Sequence, residues 1–342
     1  MTDTDVLIVG AGLSGLALAR HLTAAGVAHE VLEGRARIGG RILSAVGGMD
    51  LGPAWIWPGQ PRIAALLADL GLATFAQHSR GMLVYEDRGG AIRRDLTFST
   101  MEGALRVTGG LSRVTDGLAS GLAPVRLGAE VRALALTDAS VTATLADGGA
   151  VTARRVALCV PPRVAAARIA FTPAADLGAL RAVPTWMAGH AKAIAIYDAP
   201  FWRASGLSGD VISHRGPMAE LHDASPADDG FGALFGFVGV PASVRLADPA
   251  ALRDACAAHF ARLFKGPPPR EVWLEDWAAQ PLTATPDDRA GGAHPAYRPI
   301  PPLGGPWGGR VLFASTETAP EFGGFLEGAL EAAEAAARAL IR

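Results

Sequence analysis

The chain has 342 residues, half of them hydrophobic, with a formal net charge of −2; that is enough for about two domains with a sizeable core. No charge run is present to serve nucleic acid or an anionic membrane, and two cysteines and eight histidines form no disulfide framework, CxxC pair or metal-ligand spacing. With no basic leader and no apolar run of membrane length, the composition predicts a cytoplasmic protein without a membrane span, acting on a small molecule.

The apolar run Val6 to Val9 breaks into glycines and resumes at helical period, which predicts a strand, a tight turn and a helix. Gly10, Gly12 and Gly15 fit GxGxxG, where the three glycines serve in turn the bend itself, the close approach of backbone to a pyrophosphate, and helix-on-strand packing. The helix start at Leu13 and Ser14 would offer free N–H groups and a positive dipole end to the phosphates. A second strand, His29 to Glu33, ends on a carboxylate 23 residues after Gly10, placed to accept hydrogen bonds from ribose hydroxyls. These features predict a dinucleotide without choosing between NAD and FAD.

The next stretch, Gly34-Arg-Ala-Arg-Ile-Gly-Gly-Arg41, narrows the choice. From residue types alone, Arg35 and Arg37 read as a solvated basic loop. The stretch as a whole resembles the RxGGR segment of the flavin amine oxidase family, in which paired glycines pass close to the FAD diphosphate and the arginine pairs with it. The resemblance implies that Gly34, Arg35, Gly39, Gly40 and Arg41 hold FAD. A planar guanidinium is well suited to this because it meets phosphate oxygens in a bidentate way. A plain NAD-dependent dehydrogenase would leave this segment without a role.

Met49 to Leu72 is similar to the same family's DLG segment before a helix ending in LGL. The resemblance places Pro53, Ala54 and Trp55 at the flavin, with Trp55 and Trp57 on its substrate side. Gly81 to Asp95 predicts a hairpin around Asp87-Arg-Gly-Gly90. The glycine pair Gly109-Gly110 leads into a helix, like a second family landmark. Members of the family carry a helical insertion where this chain has only the short connection from Asp95 to Val107. That shortness predicts an open flavin face, which either a second copy or a partner covers or which admits a bulky or carrier-bound amine and turns small amines over poorly; the opposing reading is that the loops of 204–230, rich in Gly, Asp and Ser, fold over the site. Trp55, Trp57 and Phe325 would be its apolar walls, with Trp202 a further candidate.

Val131 to Val160 predicts an antiparallel meander with turns at Asp138-Ala-Ser140 and Asp147-Gly-Gly149. By resemblance Val131 contacts adenine and Pro161, in the proline pair that follows, contacts the cofactor; Cys159 reads as a core thiol. From about Leu180 come strands at Ala191 to Tyr197 and Gly232 to Val240, then a helix from Pro249 to Phe264. Gly189 to Arg203 is close to monoamine oxidase in its K-x-I-x-x-Y-x-x-PFWR pattern. This implies that Lys192, otherwise a costly cation in an apolar strand, stands beside the flavin through a water.

A last strand, Arg310 to Ala314, leads into a segment similar to the family's closing motif, except that Ser315 replaces a glycine. There Glu317 resembles the ribitol-binding acid, and the helix start at Phe325 and Leu326 resembles the one facing the flavin pyrimidine. Trp277 matches a cofactor-contacting tryptophan but has no cysteine after it, so FAD is expected to be non-covalent. Of the two tyrosines that flank the amine in monoamine oxidases, Phe325 matches one, and Asp287 falls near the other by counting.

The combined expectation is an α/β chain. A Rossmann-like, GR2-type FAD-binding domain with the meander takes 1–78, 106–178 and 296–342; a discontinuous α+β substrate domain takes 79–105 and 179–295. The expected function is oxidation of a small or carrier-bound amine by hydride transfer to FAD, with Lys192, Phe325 and Trp55 catalytic, imine hydrolysis, and oxygen returning hydrogen peroxide. Alternatives are a desaturase or porphyrinogen-type oxidase on the same fold, or a non-catalytic FAD-bound partner subunit.

Overall fold

A computed structural model describes residues 4–137, 139–290 and 292–341; Asp138 of the predicted first turn lies outside them. The first of two seven-stranded sheets is built on one long strand, Ala150–Leu158. Its first half pairs antiparallel with Val141–Leu145, and Val141–Leu145 in turn pairs with Val131–Leu136, which gives the predicted meander. Its second half runs parallel to Thr4–Val9 on one edge and to Val311–Phe313 on the other. His29–Leu32 extends the sheet beyond Thr4–Val9, and the unpredicted strand Ala170–Thr172 closes the far side against Val131–Leu136.

Apolar residues dictate what covers this sheet. Helices Leu13–Ala24 and Leu326–Leu340 bury Leu16, Leu18 and Leu22 together with Ala333, Ala336 and Leu340 in one core, and small alanines let the two helices approach closely. The helix Pro61–Asp69 has no cap from its own N-cap side chain. The buried Glu327 carboxylate supplies one instead, accepting from Arg62 N at 3.0 Å and Ile63 N at 2.9 Å. The segment before this helix is thereby tied to the C-terminal helix.

The second sheet has the strand order Glu271–Asp276, Ala191–Tyr197, Gly232–Val238, Met218–Asp223, Leu207–Ser213, Met82–Glu86, Ile92–Leu96. Its alternation is two-sided. Ala193, Ala195, Leu221 and Leu234 pack on one side against Cys256, Phe260 and Leu263 of the helix Pro249–Phe264, whose N-cap Asp248 accepts from Ala251 N. Ile194 and Phe235 pack on the other side against Met49 and Leu51, which turns that face toward the first sheet.

Two expectations for the region after residue 200 are corrected. About half of 204–230 is not a covering loop, because Leu207–Ser213 and Met218–Asp223 are strands inside the second sheet, with Val211 and Leu221 buried. Their glycines and aspartates disguise the pattern; Asp210 and Asp223 are themselves fully buried. Trp202 is no cavity wall either. It is completely buried in the core beneath the second sheet, and its Nε1 donates to Asp223 Oδ2 at 2.9 Å. Removing that donor while keeping an aromatic ring leaves a buried acceptor one bond short. Trp202→Phe is therefore expected to cost about 1–3 kcal/mol, read as a lower urea midpoint at unchanged slope; an unchanged midpoint would contradict the assignment.

Candidate active site

The C-terminal ends of the parallel strands and the inner face of the second sheet enclose a cavity of about 1160 Å³. Open α/β sheets bind ligands at such strand ends. Of the residues singled out from sequence, Gly10, Gly12, Leu13, Ser14, Glu33, Gly34, Arg35, Gly39, Gly40 and Arg41 line it. So do Pro53, Ala54, Trp55, Val131, Pro161, Lys192, Trp277, Phe325 and Leu326. Gly15 and Glu317 do not, and both lie immediately behind the wall.

At one end the backbone itself makes the floor. A Cβ on Gly15 would lie 1.9 Å from Gly10 O, and one on Gly40 would lie 3.2 Å from Gly12 Cα, so the strand, helix and glycine-pair turn meet without side chains between them. Gly12, by contrast, has nothing nearer than 3.9 Å, leaving that side open for a ligand to approach. Gly39 N donates to Ala11 O at 2.8 Å and fixes the turn against the loop. Arg37 holds the turn from inside, donating to the carbonyls of Ile38, Gly40 and Ile42 at 2.9–3.2 Å. It is a brace rather than a solvated residue, and Arg35 likewise donates to Thr283 Oγ1 at 2.7 Å.

Charge complements this floor. The helices starting at Leu13 and Leu326 both lack a side-chain N-cap, and both starts line the cavity, so two positive dipole ends converge there. Glu33 is held by Ala11 N and Arg35 N, each at 2.9 Å, which leaves lone pairs on both oxygens for ligand hydroxyls. Arg41 Nη1 donates to Glu317 Oε1 at 2.6 Å. The other oxygen, Glu317 Oε2, is buried and has no partner among the described residues. Remaining guanidinium donors, an orphaned acceptor and open helix ends fit a diphosphate-bearing dinucleotide.

The opposite wall carries Lys192. Its Nζ donates to Gly52 O at 2.7 Å and Asp50 O at 3.1 Å and lies 4.4 Å from the centroid of Phe235. Burial lowers its pKa to about 7, opposed in part by the Asp50 carboxylate. Burial also raises Asp50 to about 6, against hydrogen bonds from Ser44 and Leu111 N. Gly52 permits the geometry because a Cβ there would lie 2.0 Å from Arg41 O, so one residue links the lysine to the arginine wall. Asp50 and Gly52 are site residues that their motif marked without revealing that they hold the lysine.

Aromatic rings close the remaining side. Trp55 is anchored by Nε1 donating to Gln77 Oε1 at 2.9 Å, and Trp277 by Nε1 donating to Leu51 O at 3.0 Å. Phe325 does not pair with Asp287, which is exposed. The neighbouring Asp288 is buried and accepts from Thr285 N, Thr285 Oγ1 and Thr185 N, and this turns Asp287 outward. The ring beside Phe325 is His294, stacked at 4.9 Å and 24°, with Trp186 across Phe325 at 5.0 Å. Neither was visible in sequence, since no spacing rule joins a loop histidine to a ring 31 positions later. Both cysteines are buried, and burial pushes both thiols up to about 12, so neither offers a thiolate.

Comparison with known proteins agrees with this geometry. The family model described as flavin containing amine oxidoreductase matches residues 13–96 and 78–341. AofH of Mycobacterium tuberculosis, named for the flavin-containing monoamine oxidases, is 30% identical over 97% of this chain and 95% of its own length. Flavin-containing amine oxidase B of Sus scrofa is 24% identical over 98% and 86%. Those alignments run over 455 and 454 positions against 342 residues here, so both relatives have stretches without a counterpart. Among solved structures, cyclohexylamine oxidase from Brevibacterium oxydans superposes with a TM-score of 0.82 at 21% identity, covering 99% of each chain.

The buried lysine has a consequence for stability. With its pKa lowered in the fold from 10.5 to about 7, the unfolded chain binds a proton between those values that the folded chain does not, so folding gains stability as pH rises through that window. Lys192→Met lacks this contribution. Denaturant titrations at pH 7 and pH 9.5 are expected to show wild type gaining stability relative to Lys192→Met at the higher pH; a constant difference would mean that Lys192 is charged throughout.

Proposed function

Because this chain belongs to the flavin containing amine oxidoreductase family and is an FAD-dependent oxidoreductase, we propose that it oxidises amines to imines, which water hydrolyses to a carbonyl compound and ammonia. FAD, when bound, supplies the two-electron acceptor, with oxygen the proposed final acceptor and hydrogen peroxide the product. The observation that carries the reading is the convergence of two open helix starts and Arg41 on one cavity whose facing wall holds the buried Lys192.

The residues divide the work. Gly10, Gly12, Leu13, Ser14 and Arg41 hold the diphosphate, Glu33 a ribose, and Val131 the adenine. Glu317 fixes Arg41 and keeps an acceptor for the cofactor's linker hydroxyls. Gly34, Arg35, Gly39, Gly40, Pro53, Ala54, Pro161, Trp277 and Leu326 complete the binding surface, and Gly15 keeps helix and strand in contact beneath it. With both cysteines protonated and buried, the cofactor is held without a covalent bond. Residues 1–78, 106–178 and 296–342 form the cofactor half; 79–105 and 179–295 form the substrate half.

Phe325 and Trp55 orient the amine and keep water from the reacting carbon. Near its pKa, Lys192 gives up or takes a proton at Nζ readily, and as a neutral amine it keeps both N–H bonds to Asp50 O and Gly52 O. The short connection after Asp95 leaves the site accessible to a small or carrier-bound amine.

Purified protein is expected to be yellow, to release all of its FAD on denaturation, and to have that FAD reduced anaerobically by at least one amine in a screen. Lys192→Met should retain FAD and slow one half-reaction by at least about tenfold, roughly 1.4 kcal/mol. Flavin that no amine reduces would count against the function, and unchanged rates in both half-reactions would remove Lys192 from it.

A further inference from the structure

We infer that Gln77 is a positioning residue for the substrate: its carboxamide fixes the plane of the Trp55 indole, and with it the shape of the aromatic wall that decides which amines fit. This rests on the amine-oxidising reading and adds the residue that sets its selectivity. Trp55 lines the cavity and is only partly buried. Its neighbours His222 and Phe235 touch it through ring contacts, at 5.3 Å and 5.2 Å between centroids, and the torsion that turns an indole about its stem is broad, so such contacts leave the plane loosely set. The directional element is Nε1, which donates to Gln77 Oε1 at 2.9 Å.

A carboxamide is the group this place demands. Gln77 is 5% exposed, and its Nε2 donates to Asp223 O at 2.7 Å and to His78 O at 3.2 Å. Around it stand one group that only donates and two that only accept, and a carboxamide meets all three with one oxygen and one NH₂. A flipped amide would set N–H against N–H and oxygen against carbonyl, so the partners leave one orientation. Glutamate would lose both bonds to carbonyls; methionine, as long and unbranched, would lose all three.

The tether is fixed at both ends. The carboxylate of Asp223 accepts from Trp202 Nε1, Arg203 Nε, Arg203 Nη2 and Ser225 N at 2.8–3.0 Å, so the carbonyl that receives Gln77 belongs to a residue clamped by four donors. Gln77 N donates to Ala104 O at 2.9 Å, and Ile56, next to Trp55, exchanges main-chain bonds with Leu105 at 2.8 and 2.9 Å. Stem and tip of the indole are thus referred to one stretch of chain, Ala104 and Leu105, which the short connection after Asp95 delivers. Held this way, the ring centroid lies 5.8 Å from Lys192 Nζ, so any tilt of the indole changes the space beside the lysine.

The test pairs a probe of the ring with a probe of selectivity, both on the holoprotein. With the indole nitrogens labelled for NMR, the Trp55 N–H signal is the one of seven tryptophans that Trp55→Phe deletes. Its exchange with solvent is expected to speed up at least about tenfold in Gln77→Met. Primary amines of graded width, from n-butyl through benzyl to naphthylmethyl, then measure the wall: the ratio of kcat/KM between narrowest and widest is expected to change at least about fivefold in Gln77→Met, chiefly through KM. Gln77→Glu, which keeps the acceptor for the indole, should fall between. In the Trp55→Phe background, where no indole N–H exists, adding Gln77→Met should leave the ratio where Trp55→Phe alone puts it. A merely structural Gln77 would lower the melting temperature and scale all amines alike. A ratio unchanged by Gln77→Met, or shifted equally in the Trp55→Phe background, overturns the inference. If no amine is oxidised, the proposed function fails, and dissociation constants of the same amines, read from the flavin absorbance, decide by the same ratio whether Gln77 sets the wall.

Discussion

The constraint on which the rest of the molecule depends is direct contact between main chains at the cavity floor. Where Gly15 rests on Gly10, Gly40 on Gly12 and Gly52 on Arg41, even a methyl group would intrude on backbone at two of the three contacts. Strand, helix, glycine-pair turn and the Asp50–Gly52 segment are thus brought to one surface at the minimum separation. Their polar groups, no longer screened by side chains, face the same ligand. The helix dipoles, the guanidinium of Arg41 and the carbonyls that hold Lys192 all take their positions from these contacts.

A second theme is that the buried charges are held by a partner on another element. Arg41 meets Glu317 across 276 positions of sequence, Arg62 meets Glu327 across 265, and Arg163 meets Asp288 across 125. Such pairs contribute little net stability when both members lose water, but breaking one strands a charge. Their effect here is to fix which element lies against which. The cavity wall inherits that fixity, because each acid sits immediately behind or beside a residue that lines it.

How much could be read from the chain alone follows the same physics. The glycine-rich loop, the acidic strand end and the meander were legible because their geometry is local: a turn that only glycine fits, a carboxylate at a set interval, a hairpin marked by Asp147-Gly148. Lys192 was legible because a lysine inside an apolar strand contradicts its surroundings. Trp202 misled, since a tryptophan fills a core as readily as it lines a site, and only its bond to Asp223 distinguishes the cases. His294 and Glu220 were hidden for different reasons. The histidine reaches Phe325 through a loop without periodicity. The glutamate faces the cavity only because one extra residue, Ala219, shifts the alternation, and such a slip leaves no mark in composition.

The long strand Ala150–Leu158 belongs to the meander at its start and to the parallel sheet at its end, with Val311–Phe313 as its last neighbour. The second sheet is likewise assembled from distant parts, 82–96 and 191–276. During synthesis, then, neither sheet can be completed early: the hairpin of 82–96 emerges more than a hundred residues before the strand Leu207–Ser213 that receives it, and the first sheet waits for the final tenth of the chain. Until then both present unpaired edges, the condition in which nascent chains associate wrongly. A fold whose halves are interleaved is therefore acquired nearly all at once, and a chain cut short before Glu271 would hold two unfinished sheets rather than one finished domain.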